Sequence, residues 1–282
     1  MRCFLHDERA MRISLRLPLR LLRPLSLARP LSLALSLALP LALLGLAAAA
    51  CSRGPGVPIQ PLPELVMPPP AAAPITVREL LLVPQEQMIW DVHWKGLTIG
   101  RIELTVDADS VHSRFRTGAV VGTVTSIQHE LDTVLDRAAA RAAAQHEVLT
   151  VDGDARTIDA AFDDAGYHIE GRPPGPTPGP AQAGRVHTVH SALGALRAWA
   201  NPGARPGFLI VLLGGEPLRL EVGEPVAEQL QDRAALRVDG RITGGPSPAT
   251  VTLWLRAGED RTPLRLEIAT DEARVSAELL DE

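Results

Sequence analysis

The stretch at 88–107, "MIWDVHWKGLTIGRIELTVD", sets the architecture. Its apolar residues recur at every second position. Trp90, Val92 and Trp94 point to one side of an extended chain; Asp91, His93 and Lys95 point to the other. Beyond the connection "GLTIG", Ile102, Leu104 and Val106 alternate with Arg101, Glu103, Thr105 and Asp107. Successive side chains of a strand face opposite ways. Two half-wet strands joined by a short glycine-flanked segment therefore predict a β-hairpin.

The same period extends outward in both directions. "SVHSRFRTG" sets Val111, Ser113 and Phe115 against His112, Arg114 and Arg116. Far downstream, the dry positions are Leu218, Leu220 and Val222, then Leu236 and Val238, then Val251, Leu253 and Leu255. Leu264, Leu266 and Ile268, followed by Val275, Ala277 and Leu279, complete the set. One wet and one dry face on nearly every strand is the mark of antiparallel sheet, because parallel strands covered on both sides read as unbroken apolar runs. "GFLIVLL" (207–213) is such a run and predicts a strand covered on both faces.

One segment changes period. In "HTVHSALGALRAWA", Val189, Ala192, Leu193, Leu196, Trp199 and Ala200 fall at helical spacing, and "NPG" at 201–203 ends the run. "DRAAARAAAQHE" (136–147) is ambiguous: its alanines favour helix, while the strands around it favour sheet, with His146–Val151 reading as strand. "DGD" (152–154), "DDAG" (163–166) and "LLGGEP" (212–217) read as hairpin turns. "RPPGPTPGP" (172–180) reads as a loop. The expected fold is mainly β: a curved antiparallel sheet, barrel or half-barrel, over residues 86–282, with one principal packed helix.

Ahead of this domain the chain has a different character. Five arginines, Arg12 to Arg29, precede 21 uncharged residues from Pro30 to Ala50, and "AAAAC" follows, with Cys51 at its end. A basic segment, an apolar segment and small residues form the pattern of a secretory signal over 1–50, with Met11 as an alternative start. The run is also long enough to span a bilayer as an uncleaved anchor. Small residues followed at once by cysteine resemble the lipobox of bacterial lipoproteins, although Ala48 stands where leucine is usual. The resemblance implies a diacylglycerol on the Cys51 thiol. Ser52, rather than aspartate, then implies an outer-membrane anchor with the body in the periplasm; an inner-membrane anchor is the alternative. Residues 52–76 contain eight prolines, which predicts an extended tether, and "VRELLLVP" (77–84) reads as a short helix or strand leading into the domain, so that 51–85 links lipid to domain.

The order of these motifs carries a second resemblance. "WDVHWKGLTIGRIELTV", "HSALGALRAWA", "VTLWLRAGEDRTPLRLEIAT" and the final "RVSAELLD" resemble the exported bacterial proteins grouped as domain of unknown function 3108. The best-marked points are Trp94 with Gly96 and Gly100, Ser191-Ala192-Leu193, and Trp254 followed by Pro263. The sequence departs from that pattern at "TDEAR", where a glycine turn is more usual, and in its long 173–180 insert. The resemblance implies a β-rich envelope domain and supplies no catalytic residues.

Composition narrows the function. The chain has 28 basic and 33 acidic residues; without the seven arginines and two acids of residues 1–50, 21 and 31 remain, a net charge near −10. Such a body lacks the basic face that nucleic acid requires. With Cys3 in the leader, only Cys51 would remain after cleavage, which leaves no disulfide and no thiolate metal site.

His187 and His190 in "HTVH" share spacing with helical metal ligands but lack a third ligand, and read as polar residues on the wet side of the helix, with His187 before the helix start as an alternative. Ser191 reads as a helix cap rather than a nucleophile. No catalytic residue, metal or cofactor is expected. Trp90, Trp94 and Trp199 are the candidate ligand-binding residues, as core aromatics that could line an apolar cavity, and Trp254 points away from the core. The expectation is a non-enzymatic envelope lipoprotein. It meets the membrane through its N-terminal lipid and binds an apolar ligand or an envelope partner protein. The alternatives are an assembly scaffold without a cavity and a hydrolase of envelope polymers.

Overall fold

A computed structural model describes residues 72–172, 185–245 and 247–280. The leader, Cys51, the tether up to residue 71 and the 173–180 insert lie outside the described residues. The protein is mainly β, with one large curved sheet that is not closed.

The chain opens with β1 (Ala73–Pro74), β2 (Gln87–Trp94), β3 (Leu97–Val106) and β4 (Ser110–Thr117). A single turn, α1 (Ala119–Gly122), leads to β5 (Ile127–Asp136), β6 (Arg141–Val151), β7 (Asp154–Asp163) and β8 (Gly166–Ile169). After β9 (Val186–His187) comes the main helix, α2 (Val189–Trp199). The chain then runs through β10 (Gly207–Leu213), β11 (Glu216–Val222), β12 (Val226–Leu230) and β13 (Arg233–Thr243). It ends with β14 (Ala249–Arg256), β15 (Pro263–Ala269) and β16 (Arg274–Leu279).

The sheet path runs β1-β10-β11-β13-β14-β15-β16-β2-β3-β4-β5-β6-β7-β8, so β16 pairs with β2 and joins the two halves of the chain. Every pairing along it is antiparallel except those of β1 and β9, which share the outer edge of β10 and run parallel to it.

The first hairpin is tighter than the sequence suggests. Trp94 pairs with Leu97, leaving Lys95 and Gly96 as a two-residue turn with φ of 50° and 78°. Positive φ at both positions is what a type I′ turn needs, and its twist matches that of the strands. "LTIG" belongs to β3, where a register shift opposite Val92/His93 turns Ile99 inward as an extra buried residue. Asp152-Gly153 and Gly214-Gly215 form the same positive-φ pairs at the turns after β6 and β10, as expected. The ambiguous alanine stretch divides into a turn at 137–140 and strand from Arg141.

The ends of the sheet overlap instead of meeting edge to edge. Leu209 and Val211 of β10 face the main core, while Phe208, Ile210 and Leu212 face outward into a second core. That second core is covered by Ile158, Ala160 and Phe162 of β7 and Ile169 of β8. This is why 207–213 reads as one apolar run. Arg156 and Arg172 fasten the overlap by donating to the carbonyl oxygens of Gly214 and Gly215, both at 3.1 Å.

The folded unit also reaches back beyond residue 86. Ala73 and Pro74 pair with β10, and Leu80 and Leu82 are each 2% exposed. Residues 72–85, assigned from sequence to the tether and the short lead-in at 77–84, are therefore packed on the domain, and together with Glu86 they form a strap. Leu81 N–H donates to the Gly194 carbonyl at 3.0 Å, so the strap crosses α2 at its glycine. A Cβ on Gly194 would stand 2.8 Å from Leu82 Cγ, closer than real side chains approach.

Candidate functional site

The inner face of the curved sheet does not fill its interior. A cavity of about 300 Å³ lies between α2 and the inward residues of β2–β5, β10, β11 and β13–β16. Its wall is aliphatic: Leu218, Leu220, Val222, Val238, Leu253, Leu266, Ile268 and Val275 on the strands, and Val189, Leu193 and Leu196 on the helix. Strand alternation places them there, since each lies in the dry phase of its strand. Among the described residues, the polar side chains in the wall are those of Ser113, His129 and His190, beside the satisfied indole of Trp90.

The helix closes one end of this space. α2 lies inside the curl of the sheet rather than upon it, and His190, Ser191, Ala192, Gly194, Ala195, Leu196 and Arg197 are all buried. The stripe of Val189, Leu193 and Leu196 faces the cavity; Gly194 and Arg197 face the strap. Thr188 and Ser191 form a capping box at the helix N-terminus, with Ser191 N–H donating to Thr188 Oγ1 at 3.1 Å and Thr188 N–H to Ser191 Oγ at 3.0 Å. Ser191 is thus a helix cap, as its position in the sequence indicates.

The two histidines are a correction. Each is 2% exposed, so neither lies on a wet face. His190 is held through both ring nitrogens, Nδ1 to Thr133 Oγ1 at 2.9 Å and Nε2 to Ser113 Oγ at 2.8 Å. Its pKa is pushed from 6.5 down to about 3, mainly by burial, with His112 and His129 adding repulsion. The ring is therefore neutral, with one N–H to share between two hydroxyls. His187 Nδ1 lies 3.2 Å from Ser191 Oγ, and burial followed by the nearby Arg185 lowers its pKa to about 4. The physical reasons differ: His187 precedes the helix, in β9 beside Val211 of β10, while His190 lies on a part of α2 that the sheet covers. Among the described residues, no group of three or more His, Cys, Asp or Glu could hold a metal ion.

A second buried polar group stands beside the first. His129 Nε2 lies 3.0 Å from Glu147 Oε1, with side-chain exposures of 11% and 3%. Gln145 Nε2 donates to Glu147 Oε2 at 2.9 Å. Thr133, Gln145 and Glu147 all project inward from the paired strands β5 and β6. The sequence signal for this seam was a polar residue in the dry phase of a strand, and Ser113 between Val111 and Phe115 shows it.

The structure separates the three candidate tryptophans. Trp90 lines the cavity, with its indole N–H satisfied by the Pro263 carbonyl at 3.1 Å. Trp94 and Trp199 are half-buried against the main core and are not part of the cavity wall. Trp254 projects to the outer face, where its N–H donates to Glu228 and Arg265 stacks on its ring.

The fold and cavity together define a curved-sheet β protein with an internal helix and an apolar chamber. No family model matches the chain, and no curated protein matches it. Among solved structures it is similar to a beta-barrel-like protein of domain of unknown function DUF1849 from Brucella abortus. The TM-score is 0.48 at 13% sequence identity, covering 71% of this chain and 98% of the other.

Proposed function

We propose that the protein is a non-enzymatic binder of an apolar ligand, exported to the cell envelope and anchored there by a lipid on Cys51. One observation carries the binding reading: an interior of about 300 Å³ walled almost entirely by aliphatic side chains. Chambers of that size lined by apolar groups with a few convergent polar ones are typical of small-molecule sites. The polar groups in the wall already have protein partners: Ser113 with His190, and His129 with Glu147. His190 is neutral and held at both nitrogens, which suits it to rigidity rather than to proton transfer. The pattern of residues 12–51 supports the envelope part of the proposal.

Titration with N-phenyl-1-naphthylamine, which fluoresces in apolar surroundings, tests the reading. The wild-type chain should bind one dye with saturation. Leu220→Trp, which places a large side chain in the cavity wall, should weaken binding at least tenfold while leaving the far-ultraviolet circular dichroism unchanged. Binding of equal strength in the variant would contradict the cavity as the site.

A further inference from the structure

The polar corner of the cavity restricts what its ligand can be. Ser113, His129 and His190 stand there in a wall that is otherwise apolar, and among the described residues no lysine or arginine lines it. His190 offers nothing to a ligand, because Thr133 and Ser113 occupy both its nitrogens. Ser113 does: a hydroxyl has one donor and two acceptor positions, and its bond to His190 uses only one of them. The His190 ring has a single N–H. If that N–H lies on Nδ1, Ser113 donates to Nε2 and remains free to accept. If it lies on Nε2, Ser113 accepts and remains free to donate.

Charge is excluded on different grounds. Among the described residues the other ring in this corner, His129, is held by Glu147, with its Nε2 3.0 Å from the buried Glu147 Oε1. An anionic head group placed in this corner would have no cation of its own. It would also approach the Glu147 carboxylate behind His129 in a mostly apolar wall, and burying an unpaired charge is strongly unfavourable. A cationic head would have to disrupt the His129–Glu147 pair to reach a partner.

Resting on the apolar-binder reading above, we propose that the cavity takes an uncharged amphiphile, an aliphatic chain or ring system ending in a hydroxyl, with that hydroxyl bonded to Ser113. A hydroxyl matches Ser113 in either orientation of the His190 proton, whereas a carboxylate can only accept and brings a charge.

Displacement of bound N-phenyl-1-naphthylamine by 1-decanol and by decanoate at pH 8 separates the possibilities. The exported chain is used with Cys51→Ala, so that no attached lipid competes. Decanol should displace the dye at a concentration at least tenfold lower than decanoate. Ser113→Ala should weaken decanol three- to tenfold, the range of one net hydrogen bond, with dye affinity unchanged within twofold. Ser113→Thr, which keeps a hydroxyl, should restore it. Decanoate competing as well as decanol would overturn the head-group proposal and leave the cavity reading standing. A decanol affinity unchanged in Ser113→Ala would overturn it too. Failure of the dye itself to bind would remove the cavity reading and this proposal together.

Discussion

Arg197 of α2 and Glu86 of the strap, 111 positions apart, form a two-pronged ion pair, with Nη1–Oε2 at 2.7 Å and Nη2–Oε1 at 2.8 Å. The Arg197 side chain is fully buried, and its guanidinium also donates to the Asp260 carbonyl at 2.6 and 3.2 Å. One residue thus ties the internal helix to the strap and to the β14–β15 loop. Removing one partner of a buried pair leaves the other uncompensated, at a cost of about 3–5 kcal/mol. Glu86→Ala should lower stability by about 3 kcal/mol in urea unfolding, since Asp260 still receives two of the guanidinium bonds. Arg197→Met with Glu86→Leu, which removes both charges, should lose much less than Glu86→Ala. Equal losses would mean that the pair does not couple helix and strap.

Gly194 offers a test in which local propensity and packing disagree. Alanine is favoured over glycine inside a helix by about 1 kcal/mol. Here the new methyl group would meet Leu82 at 2.8 Å, and overpacking costs about 1–3 kcal/mol. Gly194→Ala should therefore destabilise the protein. Combining it with Leu82→Ala should recover part of the loss. A simple stabilisation by Gly194→Ala would show that the strap does not press on the helix.

The buried histidines predict a pH dependence. His190 and His187 have pKa values lowered from 6.5 to about 3 and about 4. Below pH 6.5 the unfolded chain takes up protons that the folded chain cannot. Their contribution to stability is thus complete above pH 6.5 and is lost as pH falls toward 4 and 3. Between pH 7 and pH 5 each should remove up to about 2 kcal/mol. Urea melts at the two pH values should show a smaller difference in His190→Asn than in wild type, whatever the absolute stability of the variant. An unchanged difference would mean that His190 titrates normally.

Cys51 lies outside the described residues, and its role is tested in cells. Growth with a labelled fatty acid should mark the wild-type protein and leave Cys51→Ala unmarked. Label on the Cys51→Ala chain would contradict lipid attachment at that thiol.

Much of the cavity wall was legible from period two alone. Leu218, Leu220 and Val222, Val238, Leu253, Leu266 and Ile268, and Val275 and Ala277 are dry in phase, and all of them line the chamber. The unbroken apolar run at 207–213 likewise revealed a doubly covered strand. What covers its outer face was not legible, because overlap depends on how far the sheet curls, and no local pattern encodes that. The helix misled for a related reason. A 3.6-residue stripe shows which side is most apolar, so Val189, Leu193 and Leu196 were found. It says nothing of the side turned to the strap, made dry by Gly194 and a paired Arg197, nor of a hydrogen-bonded His190 beside the stripe. The partners of that histidine, Thr133 and Ser113, lie 57 and 77 positions away. Pairings at such distances are set by the tertiary fold. Leu80 and Leu82 stood out as a short apolar lead-in, but their packing across α2 was not legible, because it depends on a contact with Gly194 more than 110 positions away.

The most direct measurement is a crystal structure of the protein grown with 1-decanol. The chain should appear as density between α2 and the inner faces of β11 and β13–β16, against Leu220, Val238 and Leu266. Its oxygen should lie within hydrogen-bond distance of Ser113. An interior closed by rearranged side chains, with decanol absent or bound only on the outer surface, would contradict a ligand chamber in this fold.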